Sequence, residues 1–231
     1  YQFYEENSTT AFLRRTLRPE IVALGEKFGL IFFLHTNNPT PRSLELLAEI
    51  LRRNPRLQIV LTHGGVNLRG YRSFDFKNSA ELAASRIAPE NLALRRTEIS
   101  RQIRIARLVA EIPRLRVNTA LLAGEVNLFP LFKILGGTDK ILFGSDLPFA
   151  FFPRLRSVRE LNSRDFDTVK NIFENRHFAQ KNATPLFANL HFLLERNLAA
   201  IDFLEFADPR KVAEEFFWSA AQKMVAAARR N

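Results

Sequence analysis

Three residues able to bind a metal or move a proton, His35, His63 and Asp146, lie far apart in the chain but share one local setting. His35 ends the run "LIFFLH", His63 follows "LQIVLT", and Asp146 follows "KILFGS". Each run is short, apolar and continuous, the pattern of a strand buried on both faces. Each polar group therefore stands at the carboxyl end of a candidate strand. Taken singly, a histidine there can be a hydrogen-bonded structural residue, and an aspartate before a turn can simply cap it. Repetition at three strand ends favours a site, because in a parallel α/β barrel all the carboxyl ends open on one face. With no cysteine in the chain, any metal must be held by His, Asp or Glu.

The elements that would position these groups can be read in order. Apolar spacing of i, i+3, i+4 type predicts helix from about Ala11, broken or restarted at Pro19, to a stop at Gly29. The His35 strand follows directly. Thr40 is a candidate N-cap with Pro41 at the first helical position, and the next helix turns Leu44, Leu47, Ile50 and Leu51 to one side before Pro55. After the His63 strand, residues 66 to about 91 are polar and irregular, long enough to be functional. A helix is expected from Glu98 to Glu111, then a third strand in "LRVNTALL", a helix closing on Gly136 and Gly137, and the Asp146 strand. Four alternations of helix and strand are the pattern of parallel βαβ units with right-handed crossovers. After Pro153 only helices are expected, with a minor break near Asp208. The whole chain, 1–231, reads as a single domain: 30–150 carries the strands and 154–231 is a helical C-terminal region.

Composition bounds the rest. A chain of 231 residues with 46% hydrophobic and 25% charged residues is ordinary for a globular protein. No apolar segment approaches the length of a membrane span, and the start "YQFYEENSTT" lacks a signal-peptide profile, so a cytoplasmic protein is expected. The formal charge of +10 would suit nucleic acid, but the arginines come as doublets on predicted helices ("FLRRTLR", "ILRRNPR") without interleaved aromatics. Solvated helical faces are the better account, so neither a nucleic-acid nor a membrane partner is expected.

"LIFFLHTNNP", "NPRLQIVLTHGG", "LRVNTALL" and "DKILFGSDLPF", followed by "KNATPLF", resemble the second half of the metal-dependent amidohydrolase superfamily, specifically its amidohydrolase-2 branch of TIM-barrel hydrolases and decarboxylases. The resemblance runs from about Leu30 to Phe187, and "LTHGG" together with "LFGSDLPF" carries most of it. It implies a (β/α)8 barrel of which this chain holds about the last four β/α units plus C-terminal helices. It also implies that His35 and Asp146 coordinate a catalytic divalent metal, usually zinc with manganese as the alternative. His63 would bind a second metal or act as proton donor and acceptor beside the first. Such a metal with an open position lowers the pKa of bound water toward about 7. Asp146 would then accept a proton, and His63 would polarise a carbonyl or protonate a leaving group. In the decarboxylase members the metal holds the substrate's carboxylate or hydroxyl, and the histidine protonates carbon. Arg69 and Arg72, after the His63 strand, are candidate anchors for an anionic substrate, with surface arginines as the competing reading.

Two departures from the family pattern qualify these expectations. The His-x-His of the family's first strand is absent, and neither His177 nor His191 replaces it, since both fall in predicted helices after the last strand. Four strands stand where a closed barrel has eight, and the chain opens on Tyr1 with no initiator Met. A chain beginning inside a longer one is the simplest expectation. A half-barrel closing as a homo-oligomer, or a non-catalytic binding protein on the same fold, are the alternatives. An open parallel sheet would be expected to leave two edges and a large apolar face exposed.

Overall fold

The computed structural model describes residues 10–36, 39–65, 89–120, 125–144, 194, 197–198, 200–202 and 204–229. Two helices lead in: α1 (Thr10–Thr16) and α2 (Pro19–Phe28), the second started by Pro19 and closed by Gly29 in a left-handed C-cap at φ 60°. The expected break at Pro19 is therefore the boundary between two helices. Strand β1 (Ile31–Leu34) follows, then α3 (Pro41–Arg53). Thr40 caps α3 as expected, its Oγ1 accepting from Ser43 N–H at 3.1 Å.

Strand β2 (Gln58–Leu61) runs into a tight turn, Thr62–Gly65. Helix α4 (Pro89–Glu111) begins nine residues earlier than its apolar spacing suggests. Proline suits the first turn of a helix, where its missing N–H is not needed, and the Leu, Ala, Arg and Glu that follow propagate helix without an apolar stripe to announce it. Then come β3 (Leu115–Asn118), α5 (Glu125–Leu135) and the short β4 (Ile141–Leu142). The chain resumes in α6 (Pro209–Glu214), capped by Asp208, and passes through a wider π turn (Glu215–Ser219) into α7 (Ala220–Arg229).

The four strands form one parallel sheet in the order β1-β2-β3-β4. Sequential order means that each crossover advances one strand in the same direction, which with right-handed connections keeps the crossover helices on one side. This is how strands succeed one another around a barrel, and the sheet is compatible with part of one. The register separates the two faces. Phe32, Leu34, Ile59, Leu61, Leu115, Val117 and Ile141 share one face. They join a single apolar cluster with Leu44, Leu47 and Leu51 of α3, Ile105 and Val109 of α4, and Leu128, Leu131 and Phe132 of α5.

The opposite face carries Ile31, Phe33, Gln58, Val60, Arg116, Asn118 and Leu142, a mixture of polar and apolar groups. It is less bare than an open sheet would be. Val60 and Leu142 are buried in a second cluster with Ala220 and Met224 of α7, against which Ile31 also packs, while Phe33 on β1 stays exposed. Arg116 is buried on this face and donates from Nη2 to Asp139 Oδ2 at 2.7 Å and from Nε to the Asp139 carbonyl at 3.0 Å.

Surface arginines and lysines pair with carboxylates, as Arg52 with Glu111, Arg53 with Glu49 and Lys223 with Glu215. That is the behaviour of solvated helical faces. Among the described residues no helix is long and apolar enough to cross a membrane.

Candidate active site

The register Leu34↔Leu61 places the ends of β1 and β2 side by side, so His35 and the turn carrying His63 emerge together. Their imidazole rings lie 4.5 Å apart between centroids and are tilted by 56°. Two histidines separated by 27 intervening residues are thus neighbours, as the strand-end pattern predicted. A hydrogen bond from Thr62 Oγ1 to the Leu34 carbonyl, 3.2 Å, ties the two strand ends together just below them.

His63 is held unusually. It is 2% exposed and has φ 53° and ψ 37°, and Gly64 and Gly65 continue in the same left-handed region. Glycine adopts that conformation freely; a residue with a Cβ pays about 1–2 kcal/mol for it. Such strain persists only where the surroundings over-determine it, and it concentrates at functional positions. Here the surroundings are visible. The His63 N–H donates to Asn118 Oδ1 at 3.0 Å, the same oxygen accepts from Ala120 N–H at 3.3 Å, and His63 Nδ1 lies 2.9 Å from the Ala120 carbonyl. From the other side Gln102 of α4 donates its Nε2–H to the Gly64 carbonyl at 2.9 Å.

These contacts define the state of the ring. A carbonyl only accepts, so His63 Nδ1 carries a proton, and in the neutral ring Nε2 keeps its lone pair. Burial pushes the His63 pKa below the usual histidine range, opposed by the hydrogen bond to Ala120, and so favours the neutral ring. A neutral imidazole of fixed tautomer is what metal ligation or base catalysis requires.

The approach to the third candidate is close by. Thr119 N–H donates to the Leu142 carbonyl at 3.0 Å, and a Cβ added to Gly144 would stand 3.1 Å from Ala120 Cβ and 3.2 Å from Ala120 N. The chain therefore leaves β4 tight against the residue that holds the His63 ring, two positions before Asp146. Asp146 itself lies outside the described residues, as do Arg69, Arg72, His177 and His191.

The donor set suits a divalent ion. Two imidazoles converge from adjoining strand ends, and one of them has its lone pair fixed on Nε2 by a backbone carbonyl, the support that ligating histidines characteristically have. Among the described residues no group of three His, Asp or Glu side chains gathers. Asn118 and Gln102 are contributors that sequence reasoning passed over. Asn118 ends β3 one position past the Leu61↔Val117 pair, level with His35 and Thr62 and next to the turn that carries His63; that strand-end position was the available signal. Gln102 gave none, being one polar residue among many on a polar helix.

The sequence model of one protein family, described as Amidohydrolase, matches residues 9–161 of this chain of 231. No curated protein and no solved structure gives a match.

Proposed function

The chain belongs to the amidohydrolase family, and on that footing we propose that it is a metal-dependent hydrolase of the amidohydrolase-2 type, acting on a small carboxylate-bearing or aromatic substrate. In this reading β1 to β4 are the last four strands of a TIM-type barrel, and residues 35, 63 and 146 stand at its active face. One observation carries it: two imidazoles meet at adjoining strand ends, 4.5 Å apart, and one of them is buried in a strained left-handed turn.

His35 and Asp146 would hold the divalent ion, zinc in preference to manganese because imidazole nitrogen suits zinc. Once bound, the ion supplies Lewis acidity and a water activated at neutral pH. The remaining work falls to the chain's own groups. His63, protonated on Nδ1, turns the lone pair of Nε2 to account as ligand or base. Asp146 takes up the proton released as water attacks and returns it to the leaving group. Arg69 and Arg72 anchor the substrate's carboxylate.

Burial that lowers the His63 pKa supports a neutral ring acting as ligand or base, the role the hydrolytic reading gives it. The test is to supply the full chain with zinc and present two substrate panels, aromatic or carboxylate-bearing amides and esters, and aromatic carboxylates, measuring released acid and carbon dioxide separately. Hydrolysis that is lost in folded His63→Gln and Asp146→Asn variants is the expected result. Carbon dioxide release without hydrolysis would replace the reading with a decarboxylase. Neither product, from protein that binds zinc, would leave a binding protein on the same fold.

A further inference from the structure

We infer that Asn118 is a positioning residue, whose single carboxamide oxygen fixes the tautomer of His63 by closing a ring of hydrogen bonds around it. The ring runs from Asn118 Oδ1 to the His63 N–H at 3.0 Å, through the residue to its Nδ1, across 2.9 Å to the Ala120 carbonyl, and back through the Ala120 N–H at 3.3 Å. The inference rests on the reading of His63 as a working group of the site.

The geometry has a direct consequence. The main chain of His63 and the main chain of Ala120 belong to different strand ends, β2 and β3, and nothing in the β2–β3 ladder itself reaches them, since its last pair is Leu61↔Val117. Asn118 extends the ladder by one side chain. Because both of its partners are N–H donors, the accepting atom is the carboxamide oxygen, not the nitrogen. Without that oxygen the Ala120 carbonyl is no longer held opposite Nδ1. The imidazole then reverts to the tautomer preference of an unconstrained ring. Gln102 cannot substitute, because it grips the Gly64 carbonyl and makes no bond to Ala120 or to Asn118.

Leucine at 118 keeps the volume and removes the acceptor. Aspartate keeps the shape and an oxygen that accepts both bonds. Long-range ¹H–¹⁵N correlation spectra of the histidine rings in the metal-free full chain read the tautomer directly, with His63 assigned from its missing signals in His63→Gln. The wild type and Asn118→Asp are expected to show the proton on Nδ1, and Asn118→Leu to show it lost from Nδ1. Hydrolysis by zinc-supplied Asn118→Leu should fall about tenfold or more, the usual cost of losing a group that orients a site histidine.

A wild-type ring protonated on Nε2 would overturn the inference with no variant needed, which keeps it testable even if Asn118→Leu does not fold. So would a folded Asn118→Leu whose Nδ1 remains protonated. Absence of zinc binding in the wild type would count against the metal-dependent reading alone, since the tautomer is read without metal.

Discussion

His63 is the residue at which local backbone preference and the rest of the molecule disagree most sharply. Its left-handed φ of 53° would be released by glycine, whereas alanine would keep the strain and lose the ring. Glycine normally destabilises relative to alanine; here His63→Gly is expected to be more stable than His63→Ala by about 1 kcal/mol, measured by urea denaturation. The buried ring also links stability to pH. Its folded-state pKa lies below the ordinary value of 6.5, so well above that value the ring is neutral in both states. As the pH falls below it, the unfolded chain takes up a proton that the folded chain resists, and stability drops. Metal-free wild type should therefore lose more stability between pH 7.5 and 5.5 than His63→Gln does; equal losses would contradict the assignment. His63 was legible as a candidate because an imidazole after an apolar strand is conspicuous. Its conformation and its partners were not, because Asn118 and Ala120 reach it only through strand pairing.

At the scale of elements, the sheet joins helices by burying two kinds of face. The alternation of apolar runs with amphipathic helices made the parallel βαβ succession readable, and Thr40, Pro41 and Gly29 marked helix boundaries by local chemistry that needs no tertiary context. The start of α4 was not readable in the same way, since residues 89–97 lack an apolar stripe. Nor was the role of Arg116, which in the sequence is one arginine among many. In the fold it is buried on β3 and held by Asp139 at the foot of β4. Removing the partner strands a buried charge, so Asp139→Ala should cost about 3 kcal/mol. The double variant Arg116→Met/Asp139→Ala should recover most of it, because the desolvation cost of the guanidinium disappears with the charge. Denaturation of the two variants side by side checks this; a double variant no better than the single would mean that Arg116 contributes through packing.

At the scale of the whole molecule, α7 changes what an open sheet would be. Ala220 and Met224 cover Val60 and Leu142, so the face opposite the crossover helices is partly closed by the chain's own C-terminal helix. The alanine-rich sequence of α7 shows a helix but not which surface it meets. Gly29 shows how closely it docks: a Cβ there would stand 2.2 Å from the Ala228 carbonyl oxygen, at a residue already in the left-handed region. Gly29→Ala should therefore destabilise by about 2 kcal/mol and loosen α7, read as faster hydrogen exchange in residues 220–229. Exchange unchanged from wild type would show that α7 is held independently of this contact. Above this packing, the sheet brings His35 and His63 together and leads the chain out of β4 with Gly144 against Ala120. The claim that these ends form a metal centre is tested most directly by calorimetric titration of zinc into the metal-stripped full chain. The account predicts saturable binding that is abolished by His35→Ala and by Asp146→Ala in folded protein; no saturable binding, or binding that survives both substitutions, would contradict it.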